Sequence, residues 1–253
     1  MTLHRRWAIF TMVACLGSGI TLATDADSQT VASVKNSFTF RHYLKDDDIT
    51  VKASKGVVTL NGTVSQDYHK FLAEETASGT PGVIQVEDRL SVRADQPEAG
   101  SDAWITMKVK GALAFHRNVS ALATEVTTDK GVVTLRGRAD SEAEKQLATE
   151  YAKDVEGVKA VRNQMTVGST EPATRRIAEK IDDASITAEV KTSLLFHRST
   201  RALATKVDTR DGVVTIHGEA RNPAEKDLVG KLAQDVSGVR KVDNRMRIVQ
   251  SEP

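Results

Sequence analysis

The sequence predicts an α+β protein of three tandem small units, each an α-β-β-α-β module whose three-stranded sheet packs under two helices. Three observations carry that prediction. The heptapeptide GVVTLNG at Gly56–Gly62 returns as GVVTLRG at Gly131–Gly137 and as GVVTIHG at Gly212–Gly218, at steps of 75 and 81 residues. A second landmark keeps the same steps: PGVIQVEDRLSV from Pro81, EGVKAVRNQMTV from Glu156 and SGVRKVDNRMRI from Ser237. Before each heptapeptide, and between it and the second landmark, apolar residues recur at helical spacing. Self-similarity of this kind marks one structural unit written several times.

The second copy shows the elements most plainly. Ser101-Asp102 is a helix N-cap signal, and Ile105, Val109 and Leu113 follow at i, i+4, i+8. The third copy repeats the stripe at Ile186, Val190 and Leu194. The first has Val34 and Phe38 but Thr30 in place of Ile, which predicts a less amphipathic helix starting near Ser28. Strands are expected from Ala121 and Ala202, each leading to a turn at Lys55-Gly56, Lys130-Gly131 or Asp211-Gly212. Gly56, Gly131 and Gly212 suit the positive φ of a hairpin turn. Gly62, Gly137 and Gly218 are expected to end the next strand before a helix. That second helix is capped by Ser141 with Glu144, and by Asn222 with Pro223 and Glu225. Leu147 and Tyr151, like Leu228 and Leu232, should face inward. A last strand alternates through Val158, Val161, Met165 and Val167, and through Val239, Val242, Met246 and Ile248. The expected units span residues 28–93, 102–168 and 183–250, with linkers at Ala94–Gly100 and Ser169–Thr174 and a short helical connector at Arg175–Asp182.

Composition narrows the function. Net charge is +1, from 35 Lys and Arg against 34 Asp and Glu, so any electrostatic binding needs a local patch. Aromatic residues make up 4%, so the cores must be aliphatic. Units this small bury only about 60% of their unfolded surface and need neighbours or a partner. Residues 1–23 read as an export signal: His4, Arg5 and Arg6 form a basic start, an apolar run reaches Leu22, and small residues follow at Ala23 and Ala26. Cys15 is the only cysteine and lies in that run; lipid anchoring through it is the alternative to its removal with the signal. Its removal would leave no thiol for disulfides, metals or nucleophilic chemistry.

The stretches SDAWITMKVKGALAFHR, GVVTLRG and GVKAVRNQM resemble the BON domain (bacterial OsmY and nodulation). The resemblance covers all three units and is weakest in the first, where RHYLKDDD replaces HRNVSALA. It implies the α-β-β-α-β fold, no enzymatic activity and no catalytic residue. It also implies a periplasmic protein of envelope or osmotic stress that binds phospholipid or membrane surfaces. A chaperone or scaffold role toward exported or outer-membrane proteins is the alternative that it implies.

The residues themselves offer few chemical sites. His116-Arg117 aligns with His197-Arg198, and the first copy has Arg41-His42. Such a basic pair at a helix end is a candidate for lipid phosphates, with Trp104 as a candidate membrane-interface residue or, equally, a residue packed between units. The simpler reading is cations complementing the helix dipole. Asp46-Asp47-Asp48 is the single acidic cluster that could hold an ion, but its spacing is not that of a calcium loop, and a solvated loop is expected. No metal site, cofactor motif, catalytic motif or nucleic-acid surface is expected.

Overall fold

The computed structural model describes residues 25–116, 124–139, 141–168, 180–200 and 204–249. The expected export signal, Cys15, Arg117, the positions 120–122 and most of the Arg175–Asp182 connector lie outside them. The first unit runs α1 (Asp25–Asn36), α2 (Phe38–His42), β1 (Asp48–Ser54), β2 (Val57–Val64), α3 (Asp67–Gly79) and β3 (Gln85–Val92). The second has α4 (Asp102–Ala114), β4 (Thr124–Asp129), β5 (Val132–Ala139), α5 (Glu142–Lys153), β6 (Ala160–Asn163) and β7 (Thr166–Val167). The third has α6 (Asp183–Phe196), β8 (Lys206–Arg210), β9 (Val213–His217), β10 (Glu219–Ala220), α7 (Pro223–Asp235), β11 (Lys241–Asn244) and β12 (Arg247–Ile248).

Each unit builds its sheet the same way. β1 and β2 form an antiparallel hairpin, and β3 returns through α3 to lie parallel to β2. β4-β5-β6 and β8-β9-β11 repeat that order. The hairpin turns have two central residues, both at positive φ: Lys55 and Gly56 (51° and 80°), Lys130 and Gly131 (50° and 79°), Asp211 and Gly212 (49° and 72°). That is the turn whose twist matches paired strands. The Asp102 carboxylate accepts the backbone N–H groups of Lys130 and Gly131, and Asp183 accepts those of Asp211 and Gly212. Caps are Ser101 and Asp182, one residue earlier.

Three expectations need correction. Gly62 and Gly137 do not end their strands; β2 and β5 continue past them, and β10 follows Gly218. A Cβ on Gly62 would fall 1.8 Å from the Asp48 carbonyl oxygen, so the requirement is close backbone approach within the hairpin. The first helix is not continuous: Ser37 accepts from Phe40 N and donates to the Val34 carbonyl, which ends α1 and caps α2. The final strand of units two and three breaks into two pieces, and Val167 and Ile248 point to solvent.

The cores use equivalent positions. Leu60, Leu135 and Ile216 are wholly buried, as are Ala77, Ala152 and Ala233. Of the residues expected inward on the second helices, Tyr151 and Leu232 are buried, whereas Leu147 and Leu228 are only partly so.

The three units also pack on one another. Ten of the fourteen residues of α6 are buried, far more than one amphipathic stripe, because the other units cover its outer face. Phe38 N donates to Asp182 Oδ2 at 2.8 Å and Thr39 N to Ser185 Oγ at 3.0 Å, joining α2 to the start of α6. Lys191 reaches Glu75 on α3 at 2.6 Å. One ring from each unit meets at the centre: Tyr68 lies 5.1 Å from Phe196 and 6.1 Å from Phe115, with Phe115 and Phe196 also 6.1 Å apart between centroids.

Candidate functional site

The histidines expected at exposed helix ends lie inside. His116, just past α4, is 2% exposed, and His197, just past α6, is 3% exposed. The two sites are mirror assignments of equivalent residues. His116 of the second unit sits 3.2 Å, through Nδ1, from Asp235 Oδ2 of the third, off the axis of a hydrogen bond. His197 of the third unit pairs through Nδ1 with Asp154 Oδ2 of the second at 3.0 Å. Asp154 and Asp235 occupy the same place in their repeats, and so do the histidines. The His116 ring lies flat on Tyr151, 3.7 Å between centroids at 14°, and Tyr151 donates its hydroxyl to Asp235 Oδ2 at 2.6 Å. A backbone bridge between His116 and Val236 closes the seam.

Electrostatics follow from this closure. Burial lowers the His116 pKa below the ordinary imidazole value, and His197 nearby adds to that, although Asp235 opposes it. Burial, then the Asp235 carboxylate, raises the Tyr151 phenol above its ordinary value. Burial works against charge on Asp154, yet hydrogen bonds from His197 and Ser199 and the charge of Arg198 leave its carboxyl below its ordinary value. Arg198 is exposed but engaged: its Nε lies 3.6 Å from Asp154 Oδ1 and its Nη2 donates to the Lys153 carbonyl. A lipid phosphate therefore has no access to His116 or His197 in this arrangement.

Trp104 is half-buried against its own unit, with Lys108 Nζ 5.4 Å from its ring. The acidic run is not wholly solvated, contrary to expectation. Asp47 accepts from Ser65 N at 2.7 Å and pairs with His69 Nδ1, and its side chain is 1% exposed. Ser65 Oγ also approaches His69 Nδ1, at 3.1 Å. Serine and carboxylate thus compete for one ring nitrogen, whereas a nucleophile relay needs them on opposite nitrogens. Among the described residues no group of three or more His, Cys, Asp or Glu could hold a metal ion.

A basic surface does form, elsewhere. Pairing Lys206 with His217, Asp208 with Thr215 and Arg210 with Val213 places those side chains on one face, opposite Val207, Val214 and Ile216 in the core. β11 adds Lys241 and Asp243 to that face. Arg245 and Arg247 follow and, with His217 and Glu219, line a cleft of about 500 Å³. Asp208 and Asp243 pair with Lys206 and Arg245. The same face in the second unit alternates Glu125 and Asp129 with Arg136 and Arg162, and in the first it holds Lys52, Glu87 and Arg89. The alternation Lys241, Asp243, Arg245, Arg247 was the available sequence signal, hidden because the landmark reads first as a repeat. The repeated Asp154 and Asp235 were a second one.

Comparison with known proteins agrees with this architecture. The family model described as "BON domain" matches residues 26–94, 101–169 and 182–250. Osmotically-inducible protein Y of Escherichia coli (strain K12) is 35% identical over 146 residues, 58% of this chain and 72% of that protein. Outer membrane lipoprotein DolP of Haemophilus influenzae is 28% identical over 142 residues, 56% of this chain and 71% of that protein. Among solved structures, CdsD, a structural protein of the type III secretion system of Chlamydia trachomatis, aligns with 88% of this chain and 94% of its own. Its TM-score of 0.26 and 15% identity are too low to argue from. Three matched segments on three copies of one α-β-β-α-β unit make this chain a member of the BON domain family.

Proposed function

We propose that this protein serves the osmotic or envelope-stress response of a bacterium, in the periplasm, by binding anionic phospholipid surfaces through the open sheet face of its third unit. The supporting observation is the cluster of Lys206, Arg210, Lys241, Arg245 and Arg247 on a chain of nearly zero net charge. The names of its relatives, one osmotically inducible and one an outer membrane lipoprotein, favour the same setting. The role is binding rather than catalysis. Each lysine or arginine near an anionic bilayer contributes about 1 kcal/mol, and salt screens that attraction over about 10 Å at 0.1 M. No helix among the described residues is long and apolar enough to cross a membrane, so contact through a surface patch fits the molecule.

A second reading, a chaperone or scaffold for exported proteins, draws on one feature. The edge strand β8 borders a cleft of about 780 Å³ whose other wall is Glu75, Ser78 and Gly79 at the end of α3. An extended client segment has the shape to lie there. Co-sedimentation of the chain from Thr24 with anionic and zwitterionic liposomes, at low and high salt, separates the two readings. Salt-sensitive binding to anionic liposomes alone, weakened several-fold by Lys241→Glu with Arg245→Glu, is expected. Absence of binding to either liposome rejects the lipid reading, and suppression of client aggregation at high salt then supports the second.

A further inference from the structure

We propose that the seam between the second and third units is an acid-released clasp, held closed by a neutral His116 and opened when that ring takes up a proton. The reasons are geometric. Two equivalent helix ends each insert an imidazole against the other unit's aspartate, and both rings are shut off from water. A proton on His116 would place a charge in a dry gap, flat on Tyr151 and 5.7 Å from the His197 ring. The carboxylates that would have to compensate that charge are already engaged. Asp235 Oδ2 accepts the Tyr151 hydroxyl, and Asp154 accepts from Ser199 Oγ at 2.6 Å and faces Arg198.

Among the described residues, the groups around the pair come from α5, α6 and α7. α5 contributes Tyr151 and Asp154, with Glu150 and Lys153 paired at its exposed end. α6 contributes Ser193, whose Oγ lies 3.5 Å from His116 Nε2, and is followed by His197 and Arg198. α7 contributes Asp235. His197 Nε2 has no hydrogen-bond partner among the described residues.

The sign of the effect follows from linkage. The folded pKa of His116 lies below that of the unfolded group, so the closed seam binds fewer protons. Its stability is present above about pH 6.5 and is lost as pH falls below that value. Asp154, also lowered, loses its contribution at still lower pH. Tyr151, raised, loses its contribution only in alkali. Glu189 on α6, raised, acts oppositely, because its buried carboxyl favours the folded state as pH falls. A Glu189→Gln background therefore isolates His116.

The test uses the full chain in that background, by small-angle scattering and far-ultraviolet circular dichroism from pH 7.5 to 5. The expected result is a rise in radius of gyration with helix content retained, the open-to-closed ratio growing up to about tenfold per pH unit for each proton bound. His116→Gln should abolish the step, and His42→Gln, in the first unit, should leave it intact. If His116→Gln opens the seam at every pH, NMR titration of the His116 ring in the parent decides. A midpoint coincident with the expansion supports the clasp. A midpoint displaced from it by a pH unit or more, an unchanged step in His116→Gln, or no expansion in the parent overturns it.

Discussion

The second and third units meet through like positions, whereas the first meets the third through unlike ones. Across the former seam, His116 and Asp154 of one repeat face Asp235 and His197 of the other. Across the latter, the end of α3 lies on the start of α6, where Gly79 stands in the place of Asp154 and Asp235. A Cβ on Gly79 would approach Ala184 to 3.2 Å. One module thus docks in two ways, and two positions change with it: where units two and three pair a carboxylate with a histidine, the first has Gly79 and Arg41, and the glycine lets two helices close on each other. The two contacts share the aromatic centre, since Phe196 touches both Tyr68 and Phe115.

Phe196→Ala therefore weakens both contacts at once. The expected cost is about 3–5 kcal/mol, read by chemical denaturation, because a buried ring leaves a cavity that neighbours fill only partly. A cost below about 1 kcal/mol would mean that the units stand independently and that the comparison has no common centre. Gly79→Leu acts only on the contact between the first and third units. Overpacking of the α3–α6 contact should cost about 1–3 kcal/mol and speed proteolysis of the Ala94–Gly100 linker, leaving the seam of units two and three closed. Faster cleavage between units two and three instead would show that the seam depends on the first unit.

The smallest effect is expected at Glu189, which takes the place that Lys108 has in the second unit. Lys108 pairs with Asp67 at 2.7 Å at the surface, whereas Glu189 is wholly buried and neither carboxyl oxygen has a hydrogen-bond partner among the described residues. Burial first, and Asp182 second, raise its pKa well above the ordinary carboxylate value. Ionisation is then more costly folded than unfolded, so stability declines as pH rises from about 4.5 through the folded pKa. Glu189→Gln should stabilise the protein by about 1 kcal/mol at pH 8 and by little at pH 4, measured as thermal midpoints at both. An equal shift at both pH values would show that the carboxyl is not titrating in the folded core.

Much of each unit was legible because its signals are local. Lys55-Gly56, Lys130-Gly131 and Asp211-Gly212 mark their turns in two residues, and Ser141 and Asn222 cap α5 and α7 as read. Misreadings occurred where a residue answers to something distant. The helix expected to carry both Val34 and Phe38 breaks between them, where Asp182 and Ser185 engage the backbone of Phe38 and Thr39. Asp47 looked solvated until His69 closed on it, 22 residues away. His116 and His197 carry a helix-end signature that fits either exposure or burial, and their partners lie in another repeat.

Repeat period, turn chemistry and apolar spacing were sufficient for the α-β-β-α-β module and its number of copies, because those preferences act over a few residues. The docking of modules was not written at that range. Lys191 and Glu75, 116 residues apart, meet across helix faces whose polar pattern reads as solvent-facing in either unit taken singly. Which charges are buried, which histidines are paired and which sheet face keeps its lysines and arginines in water follow from how those faces fit, and fit is a property of the folded surfaces together.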